Sequence, residues 1–314
     1  MMKNYPMTRR QSLKKIMQLS GGIALAGITG TADSSPSPPP ASAEKKFIIE
    51  AVGTSEGYPV KDLARSAFDA AGGIGRFVPK ASVVAVKANL SWARAPQFAA
   101  TTHPEVLKAV VELCQEAGAK QVRIVDHTIH DARQCFALSG AGMVAKETGA
   151  DLVFPRSTLM RDMKIGGSRL DSWAVFTPVL EADVLINLPI AKHHSLSTLT
   201  LGMKNWIGAV GGSRWSLHQD IHQTIVDLAR FFKPTVTLID AVRIMTANGP
   251  SGGSTADVQT KNTLILSNDQ VAADAVGAML FGRKPEEIGF IRIAQKQELG
   301  TTDLARLDRK KVTV

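Results

Sequence analysis

Five short runs rich in valine, isoleucine and leucine, at 82–86, 121–125, 183–188, 235–239 and 263–266, recur along the chain with room for a helix between most of them. Short apolar runs bounded by polar or turn residues suit strands covered on both faces, which is the situation of a buried parallel sheet. Helical spacing predicts helices over 60–71, 104–117, 133–148, 218–232, 270–281 and 286–297. The second of these sets Val106, Val110, Leu113 and Cys114 on one face and stops at Gly118, a residue that tolerates the left-handed conformation after a helix. Strands and helices alternating in this way predict an α/β fold, an open, mostly parallel sheet with helices on both faces. No internal repeat and no linker interrupts the chain after residue 46, so residues 44–314 read as a single α/β domain with room for a subdomain around 128–180.

Residues 1–43 read as an address. Thr8-Arg9-Arg10-Gln11-Ser12-Leu13-Lys14 precedes an apolar stretch over 16–28, as in a twin-arginine export signal, although Ser12 stands where a bulky apolar residue is usual. The stretch is shorter than the roughly 20 residues that cross a bilayer, so no stable membrane span is expected in the mature chain. A proline- and serine-rich tract over 34–40 and then Ala41-Ser42-Ala43 suit cleavage near Ala43 and a periplasmic destination. Cleavage there removes five bases and one acid, lowering the formal charge from +9 to +5. That modest charge and an aromatic content of 5% argue against nucleic acid as a partner.

In open α/β sheets ligands bind beyond the carboxyl ends of the strands, and in this chain those ends are polar. The 82–86 run leads into Lys87-Ala88-Asn89, 121–125 into Asp126-His127, 183–188 into Lys192-His193-His194, and 235–239 into Asp240 and then the loop Asn248-Gly249-Pro250-Ser251-Gly252-Gly253. Lys87, Lys192, Lys204 and Arg214 gather positive charge near those ends, and a glycine-rich loop offers unhindered backbone N–H groups; both favour an anionic ligand. Asn89 and Asn205 can orient its oxygens, and Gly249 and Gly252 supply the loop. His194 is the expected acid or base, with Asp240 the carboxylate that orients it. His218 and His222, four apart, are candidate ligands of a divalent metal completed by His194, Asp126 or Asp240.

The ordered motifs resemble the domain of unknown function 362 family. Lys87-x-Asn89 matches its first strand end, and Asp183-Val184-Leu185-Ile186-Asn187-Leu188-Pro189 leads into Lys192-His193-His194 as the family's pattern does. Gly202-Met203-Lys204-Asn205 with Gly208, then His218, Asp240, Gly249-Pro250-Ser251-Gly252 and Asp269 through Asp274, complete the match over about residues 80 to 300. Some members of that family add a ferredoxin-like iron–sulfur module, so the resemblance implies redox partner proteins. Two cysteines, Cys114 and Cys135, are too few for a four-thiolate cluster, and no iron–sulfur cofactor is expected in this chain. No Gly-x-Ser-x-Gly elbow directly follows a strand, no P-loop motif is present, and Gly72-Gly73-Ile74-Gly75 precedes a strand where a dinucleotide fingerprint follows one. Two functions fit this pattern: an exported enzyme acting on a small anionic substrate, or a non-catalytic periplasmic protein that binds a cofactor or metal for a redox partner. Asp274, amid small residues, is expected to be structural.

Overall fold

A computed structural model describes residues 45–54 and 57–314 of the chain. The expected export signal, the proline-rich tract and the expected cleavage point at Ala43 lie outside the described residues. The described part begins with strand β1 (Phe47–Val52) and helix α1 (Val60–Ala70), then β2 (Val83–Ala88), α2 (Pro104–Glu116) and β3 (Gln121–Val125). Helices α3 (Ala132–Leu138) and α4 (Ala141–Thr148) lead to β4 (Asp151–Val153) and a small separate hairpin of β5 (Met160–Lys164) and β6 (Ser172–Phe176). The chain re-enters the main sheet through β7 (Val184–Leu188), β8 (Ile190–His194) and β9 (Thr198–Thr200). A 3-10 segment (Met203–Ala209), α5 (Arg214–His218), α6 (Ile221–Phe232), β10 (Val236–Met245), β11 (Val258–Ser267), α7 (Gln270–Met279), α8 (Gly289–Lys296) and β12 (Asp308–Thr313) complete it.

The main sheet is mixed and mostly parallel, in the order β12-β1-β11-β10-β7-β2-β3-β4, with β8 pairing β10 and β9 beside that path. Alternate side chains feed two cores. In β7, Leu185 faces a layer built by the 3-10 segment and α6 to α8, while Val184 and Ile186 face the layer of α1 to α4. Helices therefore cover both faces. Among the described residues no helix is long and apolar enough to cross a membrane.

From β2 the chain moves outward to β3 and β4 and then returns on the other side of β2 as β7, which pairs with it through Lys87 and Asn187. The direction of winding reverses between β2 and β7, which opens a crevice above their carboxyl ends. Pro189 has no N–H to continue the ladder, and after it the chain resumes as β8 alongside the second half of β10, whose pairing with β11 is interrupted by a bulge between Ala241 and Arg243. This detour carries Lys192 and His194 over the crevice.

Several expectations need correction. The 263–266 run belongs to β11, which runs antiparallel to β10 from the Thr237/Ser267 pair to Met245/Val258. A loop with no long crossover helix joins the two, and antiparallel neighbours require no more. The span 133–148 is two helices, interrupted at Ser139 and Gly140, where Gly140 takes φ 83°. The span 218–232 divides likewise, because Asp220 caps α6 by accepting the N–H of Gln223. Strands β1 and β12 have no counterpart among the five runs. Cys114 and Cys135 are both buried and free.

Candidate functional site

At the crevice, Lys87 near the end of β2 and Asp126, the first residue after β3, form a fully buried ion pair of 2.8 Å. Asp126 also accepts the Leu90 N–H at 2.6 Å and the Ser91 hydroxyl at 3.3 Å. The Lys87 ammonium donates further to Ala88 O at 2.7 Å and Asn205 Oδ1 at 3.3 Å. Burial lowers its pKa, with Asp126 acting in the opposite direction. A Cβ at Gly208 would lie 2.3 Å from Asp126 Oδ1 and 2.9 Å from Lys87 Nζ, so the pair forms only against a glycine. Lys87 is thus saturated within the protein and does not reach the cavity as the anion ligand expected of it.

A chain of amides fixes the next layer. Asn205 Nδ2 donates to Lys87 O (3.0 Å) and Asn187 Oδ1 (2.9 Å), while Asn205 Oδ1 accepts from Asn89 Nδ2 (3.2 Å). Asn187 Nδ2 holds Gly202 O at 2.9 Å, and Asn89 Oδ1 accepts from Lys192 Nζ at 3.2 Å. The Lys192 ammonium also donates to Ala100 O. Asp274 clamps the start of the 3-10 segment, accepting Gly202 N–H at 2.6 Å and Met203 N–H at 2.9 Å. Burial raises its carboxyl to about 7 against the pull of those two donors. This clamp is the structural role anticipated for Asp274.

The network encloses a cavity of about 50 Å³. That space suits a carboxylate or phosphate group, since on the same measure a single water needs roughly 10–15 Å³. Its inner wall carries Lys192, Lys204, Asn89, Asn205 and Thr200, with Arg214, His194 and His218 at its side. Lys204 is only 6% exposed, yet among the described residues its ammonium has no hydrogen bond and no ion pair. Burial, then the Arg214 charge, bring it down to about 7. Burial, then Lys204, bring Lys192 to about 7 as well. Arg214 is anchored on His127 and Thr128 through one nitrogen, at 3.0 Å from His127 Nδ1 and 3.3 Å from Thr128 O.

The two histidines at the cavity differ in tautomer. His194 Nδ1 accepts the N–H groups of Leu196 (3.2 Å) and Ser197 (3.3 Å), which places its ring proton on Nε2. Burial and then Lys204 depress it to about 2, so it stays neutral and offers a hydrogen-bond donor. His218 Nδ1 sits 2.5 Å from Arg214 O, which can only accept; the proton is on Nδ1 and Nε2 keeps its lone pair. Burial lowers His218 also. The rings stack with centroids 6.0 Å apart and planes at 14°. This geometry does not suit His194 for the acid–base role expected from its position; the basic nitrogen belongs to His218.

Other expected site residues are elsewhere. Asp240 accepts His103 N–H (2.7 Å) and Val242 N–H (3.0 Å), fixing the entry to α2 and the bulge of β10, and touches neither His194 nor the cavity. Burial raises it to about 6. His222 lies across the break from His218 and stacks on Phe290 at 6.3 Å, so the two rings do not share a helix face. Among the described residues no three His, Cys, Asp or Glu side chains converge to hold a metal. With Asp126 and Asp240 engaged, the residues present do not fit the divalent metal considered for this site. The Gly249 N–H is taken by His193 Nδ1 at 3.1 Å, and Gly252 closes a turn against Asn248, so this loop contributes Pro250 to the cavity wall and not an anion nest. Ser91, Trp92, Ile129 and Ile207 also line the cavity. The first three follow the polar ends of β2 and β3 within a few residues, a positional signal that residue type alone does not carry.

Comparison with known proteins gives three findings. A family model described as "Domain of unknown function (DUF362)" matches residues 84–279. The thylakoid-associated protein sll1697 of Synechocystis sp. is 27% identical over 247 residues, covering 76% of this chain and 75% of that protein. Among solved structures, the lactate racemase apoprotein of Thermoanaerobacterium thermosaccharolyticum aligns with a TM-score of 0.46 and 14% identity over 76% of this chain, and a Thermotoga maritima protein with 0.42 and 11% over 73%. The aligned parts amount to 57% and 60% of those two chains.

Proposed function

The chain belongs to the domain of unknown function 362 family, and from the charge left unmatched in its cavity we propose that it is an exported protein that binds a small anion there and moves a proton on it. The observation that carries this reading is Lys204, a buried ammonium on the cavity wall with no acid among the described residues facing it, beside Lys192 and Arg214. A buried charge without a partner is costly, and an entering carboxylate or phosphate group removes that cost. The His194 Nε2–H adds a donor for an anion oxygen or a neighbouring carbonyl. The unprotonated Nε2 of His218 accepts a proton from the bound molecule, and the ionised lysines favour the negative charge that develops.

The test is titration calorimetry with acetate and inorganic phosphate on the wild type, Lys204→Met and His218→Asn proteins, with proton–deuterium exchange at the α-carbon of bound carboxylates followed by NMR. Anion binding that Lys204→Met abolishes, with exchange that His218→Asn abolishes while affinity persists, is the expected result. Binding without exchange in the wild type would leave a carrier or maturation protein; no binding of either anion would overturn the reading.

A further inference from the structure

The cavity holds only the anionic head of a ligand, and the walls around it describe what the head is attached to. Its polar groups lie deep: Lys192 and Lys204 are 1% and 6% exposed, and Asn205 is buried beside them. Toward solvent the wall becomes apolar, with Trp92 and Pro250 half-buried and Ile129 exposed. Among the described residues seven large apolar side chains are exposed, and one of them, Ile129 (45%), lines this cavity, where Trp92 and Pro250 stand beside it. Single exposed apolar residues need no explanation, but apolar residues grouped at the mouth of a cationic cavity do.

We infer that the ligand is a small amphipathic anion, a carboxylate or phosphate bearing an aliphatic or aromatic body that lies against Trp92, Ile129 and Pro250. The inference rests on the anion reading above. A bare inorganic anion fills the charged end and leaves the rim in water, whereas a body of several carbons covers apolar surface that the fold otherwise exposes. The gradient also fixes orientation: head inward, toward Lys204 and the histidines, body outward.

The experiment is a calorimetric series of acetate, butanoate, hexanoate and octanoate at pH 6.5, repeated on Ile129→Ser, with tryptophan emission as a second readout. The dissociation constant is expected to fall about two- to fourfold per added methylene, the upper figure corresponding to full burial of each CH2. Ile129→Ser should reduce that increment and weaken octanoate several-fold. Acetate binding with a flat series would overturn this inference and leave the anion reading standing; failure of every member, acetate included, would overturn both. A flat series together with co-sedimentation on phosphatidylglycerol vesicles that Ile129→Ser abolishes would also overturn it, assigning the rim to a membrane surface.

Discussion

Lys204 and Lys87 illustrate what a residue type conveys and what it does not. Both are lysines beside strand ends in the sequence, and both read there as anion ligands. Lys87 is neutralised by Asp126, a residue 39 positions further along, and pairing at that range is decided by the register of β2 against β3. Among the described residues Lys204 meets no acid. Replacing it by methionine, which keeps the length and drops the charge, should weaken acetate or phosphate binding at least about tenfold while stabilising the unliganded protein by about 1–4 kcal/mol in thermal denaturation. A structural lysine would give the opposite second result. The pH dependence follows from the same groups. Lys192 and Lys204 have pKa values of about 7 in the fold against 10.5 when unperturbed, so between those values the folded chain binds fewer protons than the unfolded one. Their contribution to stability is fully present above about 10.5 and is lost as pH falls toward 7. A bound anion restores their charge. Binding should therefore take up protons above pH 7 and weaken with rising pH, by up to about tenfold per unit for each lysine involved, measurable by calorimetry in buffers of different ionisation enthalpy.

At the scale of elements, one glycine and two acids hold the site's supports. Asp274 ties α7 to the 3-10 segment that carries Lys204, and both carboxylate oxygens face backbone N–H groups. Asp240 has the same arrangement with His103 and Val242. In either residue an asparagine must turn its NH2 toward a donor, so Asp274→Asn and Asp240→Asn should each lower stability by about 1–3 kcal/mol in denaturant titration. An Asp240→Asn protein of wild-type stability that binds no anion would restore the direct role its strand-end position first implied. Gly208→Ala should be more damaging, about 3–5 kcal/mol, because its Cβ would occupy the space between Lys87 and Asp126 and separate a buried pair. The elements themselves were legible where a run is apolar and covered on both faces: the 121–125 expectation coincides with β3, and 183–188 with β7 to within a residue. The direction of β11 was not legible, since an apolar run records burial and not polarity of the chain. β12 was missed because Asp308-Arg309-Lys310-Lys311 is charged, as suits an edge strand, and reads as loop.

The whole molecule brings both ends of the described chain into one part of the sheet. β1 lies between β11 and β12, pairing with the latter in parallel from Phe47/Asp308 to Val52/Thr313, so the sheet closes only after residue 313 has been made. The first described residues are tied to the sheet close to the proposed cleavage point. Lys46 pairs with Asp269 at 2.8 Å, and the Phe47 N–H donates to Asn268 at 3.0 Å. Cleavage after Ala43 leaves three residues before β1, whereas cleavage much further along would cut into the sheet. The mature chain is therefore expected to begin at Glu44, by intact mass of protein recovered from the periplasm. Changing Arg9 and Arg10 together to lysine should leave the precursor in the cytoplasm, folded and still able to bind the anion, because neither arginine belongs to the domain. Equal periplasmic yield from that double variant would refute the export route and leave the cavity's chemistry untouched.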